Sequence, residues 1–129
     1  MSYVGIAADE PKRIKNERYP LMDWGITEKE ALRICYDRGY DFGGLYQIYR
    51  RCSCWCCPLQ GIGELRKLRQ HHPGLWERLR EMDKRALAQF GPGPLGQFKK
   101  DWSVERLEQR FAAETQQLSI SSSQKERER

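Results

Sequence analysis

Tyr3-Val4-Gly5-Ile6-Ala7-Ala8 is a short apolar run of β-leaning composition, and its reading decides what the rest of the chain can be. Taken as one buried strand, it starts within a few residues of Met1 and needs a sheet to join. No second convincing strand follows it. A lone strand is not stable in water, so this one is expected to pair with another chain or with a part of the protein absent from these residues. The expected fold class is therefore an α/β fragment. Within the chain it is mostly α: one N-terminal strand, about four helices by apolar periodicity, and a cysteine-rich knuckle.

Outward from the strand, Asp9-Glu10-Pro11-Lys12-Arg13 is a charged, proline-broken loop. Ligands of open α/β sheets sit outside the carboxyl ends of strands, so the position suits a binding loop, with a solvated turn as the plain alternative. Residues 14–19 read as polar connection and Tyr19-Pro20-Leu21-Met22-Asp23-Trp24 as an extended, largely buried one. Thr27 and Glu30 form a capping box that starts a helix. That helix carries Ala31, Leu32 and Cys35 on one face and ends at Arg38, with Gly39 just beyond its end.

After Gly61 the apolar spacing becomes helical. Ile62, Leu65 and Leu68 line one face up to His71-His72. Pro73 suits the first position of the next helix, where its missing N–H costs nothing. Leu75, Leu79, Met82, Ala86 and Phe90 form its apolar stripe, and Gly91-Pro92-Gly93-Pro94 stops it. Ser103 caps a last helix with Val104, Leu107 and Phe111 inward. Residues 117–129 read as a disordered polar tail.

The chemistry concentrates in Arg50-Arg51-Cys52-Ser53-Cys54-Trp55-Cys56-Cys57-Pro58, which holds four of the five cysteines. No secretion signal or membrane span is legible, so a soluble cytoplasmic protein with reduced thiols is expected. In that setting, clustered cysteines read as metal-binding or catalytic more readily than as disulfides. If Cys52, Cys54 and Cys56 lay on an extended strand, they would share one face and Cys57 would take the other. A turn at Trp55-Cys56 would instead bring Cys54 and Cys57 together, and Pro58 favours the turn. Cys35, Cys54 and Cys57 are the preferred metal ligands, with Cys52, Cys56 or an outside group as the fourth. The donor set suits zinc or a [4Fe–4S] cluster. Buried structural thiols and thiol redox chemistry are the alternatives. His71 and His72 diverge by about 100° on a helix and are assigned no function.

The 129 residues carry a net charge of +5, with charged residues at 32% and apolar ones at 39%. A core of this size gains from a bound metal. The charge is interleaved with acids, and no one-sided basic stripe stands out, so direct nucleic-acid contact is not expected.

Tyr3 to Glu10, Tyr19 to Trp24 with Thr27-Glu28, Arg38-Gly39-Tyr40 and Cys54-Trp55-Cys56-Cys57-Pro58 occur in an order that resembles the C-terminal half of phosphoadenosine phosphosulfate (PAPS) reductase-like proteins. The phage and mobile-element type, with its Ser-Cys-Trp-Cys-Cys-Pro run, is the nearest in character. The sulfurtransferase-like proteins of DNA phosphorothioation are similar too. The resemblance runs over residues 3–115, and it implies that residues 1–116 form part of an adenine-nucleotide α-hydrolase-like domain with a parallel sheet. It further implies a nucleotide and sulfonate pocket flanked by Asp9, Glu10 and Arg13, and an iron–sulfur cluster held partly by Cys54 and Cys57.

The chain departs from that family in three places. It has no Ser-Gly-Gly-Lys-Asp-Ser phosphate loop, it has Ala7 where members often have Arg, which weakens a sulfonate-binding reading, and it has no Glu-Cys-Gly-Leu-His segment. The expectation is thus a fragment, split-gene product or degenerate paralogue of a nucleotide-dependent sulfur-transfer or reductase protein. A partner would have to supply its sheet and phosphate loop. The competing expectation is a non-catalytic, zinc-stabilised helical module that binds a protein or nucleic-acid partner.

Overall fold

The structure, a computed structural model, describes the backbone of residues 2–127 and the side chains of residues 2–117. Its helices are α1 (Pro20–Asp23), α2 (Glu28–Asp37), α3 (Leu45–Ile48), α4 (Ile62–His71), α5 (Pro73–Phe90) and α6 (Val104–Arg127). The polar tail expected over 117–129 coincides with the end of α6, and its side chains from 118 onward lie outside the described residues. The chain divides into two compact units, Met1–Gln47 and Ile48–Arg129.

The α/β expectation is overturned, because no strand or sheet is present among the described residues. Tyr3 makes a single isolated parallel bridge with Arg18. It rests on Val4 N–H donating to the Arg18 carbonyl at 2.9 Å and Arg18 N–H donating to the Ser2 carbonyl at 3.2 Å. The run then folds back on itself, with Ile6 N–H donating to the Val4 carbonyl at 2.9 Å, the two-residue spacing of a γ-turn. Ala8 N–H finds the Ile26 carbonyl at 2.9 Å. Burial shows why no strand forms: the consecutive residues Ile6 and Ala7 are both buried while Tyr3 and Val4 are exposed. A one-faced strand would alternate.

The rest of the first unit follows local signals. Pro20 opens α1, a helical turn where an extended connection was expected. Tyr19 is buried beside it while Trp24 is exposed, and the Tyr19 hydroxyl accepts from Lys15 N–H at 2.6 Å. The Thr27–Glu30 capping box is complete in both directions. Helix α2 ends on Arg38, with Gly39 at a φ of 84°, a left-handed conformation suited to glycine.

The second unit is built around α4, α5 and α6. Leu65, Leu68, Trp76, Leu79, Val104, Leu107 and Phe111 form its core, and each such side chain contributes about 1.5–3 kcal/mol when fully buried. The inward faces of α4 and α6 are the expected ones. On α5 the stripe differs: Trp76 and Leu79 are buried, whereas Met82 and Phe90 are 43% and 56% exposed. The buried face of α5 is thus set by Trp76 and Leu79 in its first half.

Candidate metal centre

The cysteine loop joins α3 to α4 as two successive turns. Cys57 N–H donates to the Cys54 carbonyl at 3.0 Å, with Trp55 and Cys56 at the corner, and Gln60 N–H donates to the Cys57 carbonyl at 3.2 Å. Pro58 takes the second position of the second turn, where its fixed φ is favoured. The loop is anchored from three sides. Trp55 and Cys56 pack against the helical core, and the Arg78 guanidinium lies 5.8 Å from the Trp55 ring centre. The Gln60 amide donates to Ser53 Oγ at 3.1 Å and to the Cys54 carbonyl at 2.5 Å. From the far side, the Lys99 ammonium donates to the carbonyls of Pro58 and Gln60.

These contacts sort the thiols, all of which are free. Cys56 is turned to the core, Cys54 is exposed, and Cys52 and Cys57 are half-buried. A four-residue turn holds its first and last Cα within about 7 Å, close enough for two thiolates to reach one ion at a Zn–S distance of about 2.3 Å. Cys35 is half-buried in the last turn of α2 and belongs to the first unit. Among the described residues, no group of three or more His, Cys, Asp or Glu side chains converges on a point where an ion could sit. The turn therefore offers a two-thiolate donor pair, and the described arrangement does not form a closed four-ligand site.

Asp9, Glu10 and Arg13 have partners of their own. Asp9 Oδ1 accepts from Glu28 N–H at 3.1 Å, so it caps α2 alongside Thr27. Arg13 Nη1 donates to both Glu10 carboxylate oxygens, at 2.8 and 2.9 Å. In this arrangement no arginine of the loop is left open to a sulfonate.

Sequence reasoning missed a polar layer in the second unit. The Tyr49 ring stacks on His72, centres 5.9 Å apart and planes within 13°. Among the described residues, Tyr49 Oη, His72 Nε2 and Glu64 Oε2 are buried without hydrogen-bond partners. Burial pushes the Tyr49 hydroxyl pKa up, and the charges of Glu64 and Cys52 add to it. No spacing rule flags this layer, because Tyr49 and His72 lie on separate segments. His72 does take the expected place ahead of Pro73, as the N-cap of α5.

Charge in the second unit is also organised by pairing. Glu108 joins Arg69, Glu114 joins Arg66 and Arg110, Glu64 joins Lys67, Glu81 joins Arg85, and Glu77 and Glu105 join Arg80. The Asp83 carboxylate accepts from Phe98 N–H at 2.6 Å and Val104 N–H at 2.7 Å. Among the described residues no helix is long and apolar enough to cross a membrane.

No protein-family model and no solved structure matches this chain. Among curated proteins it is similar to an uncharacterized protein of Methanocaldococcus jannaschii, MJ0066, with 27% identity over 100 residues. The match covers 60% of this chain and 19% of that protein, so the chain spans about a fifth of the length of its relative. The fold and site together define a class: a small helical unit carrying a thiol-bearing turn on its surface.

Proposed function

We propose that this chain is a helical module whose cysteine turn binds a thiophilic metal centre, zinc or an iron–sulfur cluster, and docks onto a partner. Cys54 and Cys57 are the first two ligands. Cys52 or thiolates of the partner complete the set, and Cys56 serves packing. The observation that carries this reading is the hydrogen-bonded Cys54–Cys57 turn on a rigid three-helix platform. A bound zinc ion would act there as a structural staple, the common role of four-coordinate thiolate zinc. The reading presupposes a reducing compartment such as the cytoplasm.

A nucleotide-dependent sulfur-transfer role, implied by the resemblance, would draw on the same thiols. It would also require Asp9 and Arg13 to exchange their present partners for a nucleotide. Anaerobic purification followed by metal analysis and a visible spectrum tests the metal reading. Stoichiometric zinc, or a brown protein with stoichiometric iron, supports it, and a colourless protein without either overturns it. Chelation should lower the melting midpoint, and the freed thiolates should take up protons from solution.

A further inference from the structure

The net charge of +5 looked evenly interleaved in the sequence, but pairing in the folded second unit redistributes it. The glutamates of α4, α5 and α6 among the described residues engage arginines and lysines of the same helices. Among the described residues of the second unit, the cations left without a carboxylate include Lys84, about 120° around α5 from Arg78, and Arg106, which lies over Trp102, but the other five belong to the cysteine turn or to segments that touch it. Arg50 and Arg51 are exposed and lead directly into Cys52. Arg78 lies over Trp55. Lys99 holds the carbonyls of Pro58 and Gln60, and exposed Lys100 follows it. The nearby glutamates already have partners, Glu77 with Arg80, Glu64 with Lys67 and Glu81 with Arg85, and Asp101 is next to Lys100 in sequence.

We infer that this collar of Arg50, Arg51, Arg78, Lys99 and Lys100 around the cysteine turn is a docking surface for the phosphate backbone of a nucleic acid. The inference deepens the docking role proposed above by naming the partner, and it rests on the charge arrangement and not on the metal. A nucleic acid presents one charge about every 1.7 Å along a duplex or 3.4 Å along a strand, so closely spaced cations can all find partners at once. An acidic protein would have to match this particular spacing. Arginine supplies three of the five cations, and its planar fork suits phosphate oxygens. Arg50 and Arg51 are exposed and make no ion pair among the described residues, so substituting them breaks none.

The test is fluorescence anisotropy of the purified full chain with short fluorescein-labelled single-stranded and duplex DNA over a series of salt concentrations. The expected result is binding whose affinity falls with salt. The Arg50→Ala/Arg51→Ala variant should bind about tenfold more weakly, with the slope of log K against log salt reduced by about 1.4 on single strands and 1.8 on duplex. Lys84→Ala serves as the control, being turned about 120° from Arg78 around α5, and should leave the slope unchanged. No binding, or an equal slope change in the Lys84 variant, overturns the inference. So does competition by polyglutamate as effective as that of unlabelled DNA, which would mark the partner as an acidic protein. Metal content measured on the same samples separates the two claims: DNA binding by metal-free protein keeps the surface and sinks the metal reading, and metal without DNA binding does the reverse.

Discussion

Arg69 on α4 grips Glu108 on α6 with one edge of its guanidinium, Nε and Nη2 each donating at 2.8 Å to a different carboxylate oxygen. The Trp76 indole N–H of α5 donates to the same carboxylate at 2.6 Å, so one side chain ties three helices together at the edge of the core. The Arg69 hydrogen bonds hold the Glu108 carboxyl down to about 2, against the opposing effect of burial and with help from Trp76.

A depressed carboxyl contributes stability that is present above its unfolded pKa of about 4.3 and lost as pH falls through the folded value. Glu108 should therefore weaken the fold between about pH 4.3 and 2. Glu108→Gln should cost about 1–3 kcal/mol at neutral pH, allowing for solvent screening of a partly exposed pair, and should lose little more on acidification. Thermal melts of both proteins from neutral to acid pH check this. Glu30 and Glu114 are also lowered, by their own hydrogen bonds to Thr27 and to Arg66, so the difference between the two curves is the quantity to read. Parallel curves would exclude Glu108 as the source.

The cysteine turn makes the thiols unequal in a way substitution can read. Cys54→Ser and Cys57→Ser should each remove most of the bound metal and leave the apo-protein's stability nearly unchanged. Cys56→Ser should keep the metal and lower stability by about 1 kcal/mol, since it puts a hydroxyl against the core. Metal per chain, with melting midpoints of the chelated proteins, separates the two patterns. Equal metal loss in all three variants would refute the turn as the ligand frame.

Two glycines should respond in opposite directions. A Cβ on Gly96 would meet the Gly91 carbonyl oxygen at 1.8 Å, and backbone cannot step aside, so Gly96→Ala should destabilise by about 2 kcal/mol or more. Gly74 lies in the first turn of α5 with nothing within 4 Å of the same position. Gly74→Ala should stabilise by about 0.4–1 kcal/mol through the unfolded chain. Urea unfolding of both variants tests the pair, and a neutral Gly96→Ala would show that the connection between α5 and α6 can rearrange.

What the sequence made legible was local. The Thr27–Glu30 box, the Gly39 stop, Pro73 at a helix start and the inward residues Val104, Leu107 and Phe111 each follow from contacts within one turn or one face. Tyr3 to Ala8 misled because an apolar run has no periodicity that distinguishes a strand from a buried irregular segment. Its fate was set by Arg18 and Ile26, whose carbonyls take its N–H groups. At the candidate site the turn was foreseeable from Pro58, but its anchoring was not. Lys99 reaches the loop across 41 and 39 residues of sequence, and the basic collar emerges only once the helical acids have chosen their partners.

Asp83 is the clearest of these long-range ties and the sharpest to test. It sits in the middle of α5, and its two oxygens accept from the Phe98 and Val104 backbone N–H groups. Val104 is fully buried and begins α6, while Phe98 packs on the core, so neither N–H is easily handed back to water. Hydrogen bonds to a charged group are worth about 1.5–3 kcal/mol each, and negative charge at a helix N-terminus adds about 0.3–1 kcal/mol. The two bonds share one carboxylate and will not add fully, so Asp83→Ala should cost about 2–4 kcal/mol. Asp83→Asn should recover little of it, because one of the two N–H groups must then face an amide nitrogen that is itself a donor. Urea midpoints, with hydrogen exchange at Phe98 and Val104, distinguish this from a general loosening: both amides should lose protection together while Leu65 and Leu68 keep theirs relative to global stability. An Asn variant as stable as the parent would mean that α6 is held by its packing and by Ser103, whose hydroxyl accepts from Arg106 N–H at 3.3 Å, without need of Asp83.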